Sequence, residues 1–205
     1  MMKDEKFDIS LYNDEFFEWH LKYAREYSMV TMDWLLEFGR PFQSVVDFGC
    51  GIGSYLESAF AKNITKIKGY DIGGDYAKKY TPEHIQPFIE YLDCTKPMVT
   101  EKYDCVISFE TAEHIEPSGT NQFCDNLVNA LGKDGYLFFT GAPEGQDGCG
   151  HINCQSKAFW TLKFLERNLQ MDSVMTSIVA LEWKRLGAPN YICDNLLIFK
   201  HDTNI

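Results

Sequence analysis

At 205 residues with 45% hydrophobic side chains, the chain can bury one substantial core, and its length fits one domain better than two. Its formal net charge of −11 repels a phosphate backbone, and no apolar run is long enough to cross a bilayer or to act as a signal-peptide core, so nucleic acid and membrane are excluded as partners. The expected setting is soluble and cytoplasmic, with the seven cysteines, none in a Cys-x-x-Cys pair, as single reduced thiols.

Between residues 14 and 38, Phe16, Phe17, Leu21, Tyr23, Ala24, Tyr27, Met32, Leu35 and Leu36 recur at helical spacing and predict two helices, stopped by Gly39-Arg40-Pro41. Five short β-like runs follow, at residues 44–48, 66–71, 87–93, 103–109 and 135–141. Helix-compatible sequence lies between most of them, chiefly at 55–61 and 121–131. The last third predicts a helix over 156–168 and β-like runs near 173–180 and 191–200. Strand and helix in alternation predict an α/β fold, a doubly wound parallel sheet with helices on both faces.

The run Val45-Val46-Asp47-Phe48-Gly49-Cys50-Gly51-Ile52-Gly53 takes a strand ending in Asp through Gly-x-Gly-x-Gly into a helix. Such a turn brings backbone amides close to a ligand at positions where a side chain would block the approach. Asp71, ending the next strand about 20 residues on, stands where this architecture sets a carboxylate on a ribose diol, so the ligand carries a nucleoside. A tight strand-to-helix turn with no ligand is the plain alternative. Asp47 ahead of the glycines would repel a dinucleotide pyrophosphate and attract an amino-acid ammonium, which favours S-adenosylmethionine over NAD.

These motifs, with "GYDI", "YLDCT", "YDCVISFETAEHI" and "LVNALGKDGYLFFTGAP", resemble in order and spacing those of class I S-adenosylmethionine-dependent methyltransferases over about residues 43–143. "YNDEFFEWHLKYA", "GAPEGQDGCGHINCQSKAFW" and "DNLLIF" resemble a bacterial and viral subgroup associated with glycan building. The resemblance implies a single-domain, Rossmann-like, seven-stranded sheet, mostly parallel, whose last hairpin runs antiparallel. Residues 1–40 would be helices covering the site and 41–205 the core. It also implies that Asp47 and the backbone of Gly49, Gly51 and Gly53 hold the methionine part and Asp71 the ribose. Ile72 would lie against adenine, Asp93 with Cys94 would take the adenine amino group, and Phe109 and Glu110 would face the methyl donor. Asp93 as a loop cap and Ile72 as core are the alternatives. The implied function is O-methylation of a sugar hydroxyl on a glycan or glycan precursor, with a glycosyltransferase as partner or fused domain. A phenol- or catechol-like acceptor and a non-catalytic cofactor-binding module are the competing readings; a nicotinamide oxidoreductase is disfavoured by Asp47.

Methyl transfer is an in-line displacement in which the protein must align the nucleophile and remove its proton. The bases within reach are His114 and His151. Glu110, Glu113 and His114 stand at i, i+3 and i+4, sharing a face if the segment turns helically, while the glycine-rich loop 145–150 brings His151 over the strand ends. His20, His84 and His201 read as surface residues. Of the aromatics that could wall a sugar pocket, among them Tyr12, Phe16, Tyr191 and Trp183, Trp19 and Trp160 are the two expected at the site. The Glu110-x-x-Glu113-His114 set with a later His151 is similar to one that binds a divalent ion in RNA 2′-O-methyltransferases of small-RNA pathways and in ubiquinone-pathway O-methyltransferases. That similarity offers a metal as the alternative to a His151 base, which the sequence reading favours slightly.

Overall fold

The computed structural model describes residues 7–38 and 42–202, so the stop expected at Gly39-Arg40-Pro41 lies outside the described residues. Asn13 opens the first helix by accepting the Phe16 amide at 3.3 Å, satisfying one of the donors a helix start leaves free. In place of a break between two helices, α1 (Asp14–Trp19) continues through a π-helical turn, His20–Ala24, into α2 (Arg25–Phe38).

All five predicted β runs form strands: β1 (Ser44–Phe48), β2 (Lys66–Asp71), β3 (Ile89–Tyr91), β4 (Tyr103–Ser108) and β5 (Leu131–Phe139). The third is shorter than expected because Gln86–Phe88, with Pro87 lacking an amide proton, turns as a 3-10 helix instead of joining the ladder. Between and after the strands lie α3 (Ser54–Ala61), α4 (Gly74–Tyr80), α5 (Thr120–Ala130) and α6 (Lys157–Leu165). The chain closes with β6 (Leu169–Met171), α7 (Ser173–Arg185), α8 (Asn190–Asn195) and β7 (Leu197–His201). Together the strands make one seven-stranded sheet in the order β3-β2-β1-β4-β5-β7-β6. β7 alone runs against its neighbours β5 and β6; the pairings among β1 to β5 are parallel.

The expected strand at 173–180 is corrected: that segment is the start of α7. Asp172 caps it by accepting the Met175 amide at 3.0 Å, and Val179 and Trp183, four apart, are its buried face. Val174, Ile178 and Leu181 lie exposed on the opposite side, so the run is apolar all round and its period is masked. Nor are β6 and β7 a hairpin, since α7 and α8 separate them.

Alternation along the central strands divides the core. Val45, Cys105, Ile107 and Phe138 feed one layer, while Val46, Val106, Leu137 and Phe139 feed the other. A third cluster sets the N-terminal helices over the strand ends: Phe17, 1% exposed, packs with Ile52 of the glycine turn and Ala77 of α4. Burying Phe17 contributes roughly 1.5–3 kcal/mol to that docking. Arg25 adds a two-pronged bond to Glu57 of α3, at 2.8 and 2.6 Å. Between this cover and the point where the strand order reverses, β1 against β4, lies the crevice in which such sheets hold ligands.

Candidate active site

The crevice is a cavity of about 1200 Å³, and its two ends differ in chemistry. At one end the glycine turn leaves β1 with Gly49, Gly51 and Gly53 at φ +81°, +53° and +80°, conformations that side-chain-bearing residues rarely adopt. At Gly49 a β-carbon would also run into the Thr111 side chain. Asp47 and Asp71 lie buried beside the turn, 2% and 8% exposed. Asp71 organises it: its two carboxylate oxygens accept the Gly51 amide at 2.8 Å and the Gly73 amide at 2.7 Å. Burial, reinforced by the Asp71 charge, pushes the Asp47 carboxyl well above the usual carboxylate range. Burial also raises Asp71, against the pull of the two amides. Two buried carboxyls with no ion pair among the described residues suit a positively charged ligand, which would favour their ionised forms. Ile72, Cys94 and Phe109 line the same end. Asp93 lines it too, but one oxygen already accepts the Thr95 amide and hydroxyl at 2.8 and 2.6 Å, so the loop-cap reading holds for half of this carboxylate.

The other end is built on the loops after β4 and β5. Glu110 follows β4 at φ +47°, a left-handed conformation for a residue with a side chain, and its amide is held by the Thr140 hydroxyl at 2.8 Å. The expected helical stacking of Glu110, Glu113 and His114 is only partly realised, because a one-turn 3-10 helix, Ala112–His114, starts after that kink. Glu113 turns inward, 0% exposed, and both its carboxylate oxygens lack a well-formed hydrogen bond among the described residues. Burial and the neighbouring Glu110 charge push its carboxyl well above the ordinary range.

Both histidines present the same face. The His114 Nδ1 meets the Gly150 carbonyl at 3.1 Å and the His151 Nδ1 meets the Gln146 carbonyl at 3.1 Å. A carbonyl only accepts, so each Nδ1 carries the proton and each Nε2 offers a lone pair. Burial, with His151 close by, lowers His114 to about 4. The rings stand 5.0 Å apart, and His151 Nε2 is 3.9 Å from a Glu113 oxygen. Ligand atoms of Glu113, His114 and His151 all fall within 4.8 Å of one another. A buried carboxylate with no well-formed hydrogen bond among the described residues, beside two imidazole lone pairs, fits a divalent ion of borderline hardness, such as Mn²⁺. Glu110 stands outside this trio. Its oxygens accept the Gln146 amide at 3.0 Å and the Asn195 amide at 3.2 Å.

Two expectations fail here. Trp160 is not at the cavity: it is 1% exposed, packed on Phe139 at 5.0 Å between ring centres, because the face of α6 that carries it turns to the sheet. His20 is not a surface residue. It lines the cavity beside Trp19 and Phe16, with its Nδ1 on the Phe16 carbonyl at 2.9 Å, at the start of the π-helical turn. Trp19 lines the cavity as expected, as do Tyr12, Phe16 and Tyr191, whereas Trp183 is core. Gln146, Asn195 and Tyr27 had no sequence signal, since single amides and one tyrosine in a helical pattern carry none.

Residues 20–172 match a family described as a methyltransferase domain. Among solved structures the chain is similar to the O-methyltransferase of a trans-AT PKS multienzyme from Brevibacillus brevis in complex with S-adenosyl-L-homocysteine, at 18% identity over 92% of this chain and 80% of that one, with a TM-score of 0.62. It is also similar to Streptomyces venezuelae DesVI, at 12% identity over 97% and 100% of the two chains and a TM-score of 0.64. A third likeness is a SAM-dependent methyltransferase from Archaeoglobus fulgidus, at 14% identity over 91% and 98%, TM-score 0.63. No curated protein matches the sequence. No helix among the described residues is long and apolar enough to cross a membrane.

Proposed function

This chain, an S-adenosylmethionine-dependent methyltransferase, belongs to the methyltransferase-domain family, and from that premise we propose that its acceptor is a sugar hydroxyl of a glycan or glycan precursor. The observation that carries the reading is the two-ended cavity. At about 1200 Å³ it exceeds the roughly 300–1000 Å³ that a single ligand usually occupies, so cofactor and acceptor fit together. In this reading the Asp47 carboxylate and the backbone of Gly49, Gly51 and Gly53 hold the methionine part, and Asp71 takes the ribose hydroxyls. Ile72 lies against adenine, Asp93 with Cys94 meets the adenine amino group through the oxygen that Lys96 Nζ approaches at 3.4 Å, and Phe109 faces the sulfonium.

At the far end the acceptor oxygen attacks the methyl carbon as the sulfur–carbon bond breaks, and its proton must leave. An amine acceptor needs little help with that step, a hydroxyl much more, and the imidazoles and carboxylates gathered here suit the hydroxyl. Of the two ways to manage the proton, the donor set supports the divalent-ion alternative over an unaided histidine. The support is the Glu113 carboxylate, 0% exposed, without a well-formed hydrogen bond among the described residues, and 3.9 Å from the His151 Nε2. Glu113, His114 and His151 would hold the ion. When bound it would lower the pKa of the acceptor hydroxyl and orient it. The wall of Trp19, Phe16 and Tyr12 gives a sugar ring apolar faces to stack on. A glycosyltransferase, as partner or fused domain, would supply such an acceptor.

The test is formation of S-adenosylhomocysteine with three acceptor panels: hexose and deoxyhexose glycosides, catechols, and capped RNA. Turnover is expected on glycosides. Turnover on catechols alone moves the acceptor to the phenol reading, and turnover on RNA without any glycoside overturns the proposal.

A further inference from the structure

Glu110 is strained, half-buried at the cavity wall, and bonded on both oxygens, and it stands beside Glu113 but outside the Glu113–His114–His151 trio. Two side-chain amides from distant parts of the chain converge on it. Gln146, on the loop after β5, donates to one oxygen at 3.0 Å, and Asn195, at the end of α8, donates to the other at 3.2 Å. The amides also bond to each other, Asn195 Nδ2 to Gln146 Oε1 at 3.0 Å, which closes a three-residue ring. Asn195 is 6% exposed, so these bonds are shielded from water. A backbone φ of +47° persists only where the surroundings over-determine it, and this ring, with Thr140 on the Glu110 amide, does so.

Two phenols line the same cavity as this carboxylate. The Tyr27 and Tyr191 hydroxyls, from α2 and α8, lie 3.3 Å apart at the cavity wall. Burial raises both, with the Glu110 charge adding to it, so they remain protonated donors. A carboxylate that accepts and a hydrogen-bonded pair of hydroxyls with one proton left to donate match an alcohol, which must do both.

We propose that Glu110, Tyr27 and Tyr191 form the subsite that binds and orients the acceptor hydroxyl, and that Gln146 and Asn195 are positioning residues that aim the Glu110 carboxylate into it. The proposal rests on the O-methyltransferase reading above and separates Glu110 from the metal-binding trio, where motif spacing alone had grouped it.

Asn195→Asp keeps shape and volume but replaces the amide donor with an acceptor, so Glu110 loses that bond and meets a like charge, while Gln146→Ala removes the other donor without adding a charge. Asn195→Asp and Gln146→Ala should keep S-adenosylhomocysteine affinity within about twofold by calorimetry. On p-nitrophenyl hexosides and deoxyhexosides they should lower kcat at least tenfold, with the cofactor KM unchanged. Mn²⁺ affinity should survive Glu110→Gln and fall at least tenfold in Glu113→Gln. Unchanged kcat in Asn195→Asp, or equal loss of Mn²⁺ in both glutamate variants, overturns the proposal. If the wild-type protein methylates no glycoside, the acceptor reading fails instead, and the crystal structure of Asn195→Asp decides this one. A displaced Glu110 carboxylate supports it, and a Glu110 unchanged in φ and side-chain position overturns it.

Discussion

Replacing Asp71 by alanine tests the cofactor end most directly. Its carboxylate both ties the glycine turn, through the Gly51 and Gly73 amides at 2.8 and 2.7 Å, and lines the cavity at the end of β2. On ligand binding it would lose two hydrogen bonds to ribose hydroxyls, each to a charged group and worth about 1.5–3 kcal/mol. The sum, about 3–6 kcal/mol, corresponds to roughly 10²- to 10⁴-fold in dissociation constant. Asp93→Ala should cost less, about 1.5–3 kcal/mol or roughly 10- to 100-fold, because in the proposed site it would make one adenine contact while its other oxygen serves Thr95. Titration calorimetry with S-adenosylhomocysteine measures both, and a thermal melt of each variant checks that the turn still folds. An Asp93→Ala loss equal to or larger than that of Asp71→Ala would refute the assignment. So would tight NAD binding by the wild-type protein.

The raised carboxyls of Asp47 and Asp71 give cofactor binding a pH dependence of known sign. Their folded values lie above the unfolded ones, so they stabilise the ligand-free protein below the ordinary carboxylate range and that contribution is lost as pH rises through the raised values. The cationic ligand needs them ionised, so its affinity should climb over the same window with release of protons, seen by calorimetry in buffers of different ionisation enthalpy; pH-independent binding would contradict this. Chelation should abolish turnover and Mn²⁺ should restore it. If chelation does nothing while His151→Ala loses about 10²- to 10⁴-fold, the histidine is the base and the ion reading is wrong. Trp160→Ala should destabilise the fold by about 3–5 kcal/mol through the cavity it leaves while sparing cofactor affinity, and Trp19→Ala should do the reverse, raising acceptor KM with little change in melting temperature. Equal melting shifts for the two tryptophans would contradict their placement.

What the sequence by itself determined is local. Strand 44–48 ending in Asp47, the glycine turn, and Asp71 at the next strand end follow from period, turn chemistry and charge within a few residues of one another, and the structure has them where the pattern put them. The same holds for most of the sheet, because strands buried on both faces read as short apolar runs between turn residues. Tertiary structure decided the rest, where neighbours in space are far apart in sequence. Whether 173–180 is strand or helix turned on the Asp172 cap and on which side of the segment met the core. Trp160 and Trp19 are alike as letters, and only the facing of their helices sends one into the core and the other to the cavity. Glu110, Glu113 and His114 look like one set at helical spacing, yet a left-handed kink at Glu110 parts them. Gln146 and Asn195, 36 and 85 residues away from Glu110, hold that kink in place through contacts that no local pattern encodes.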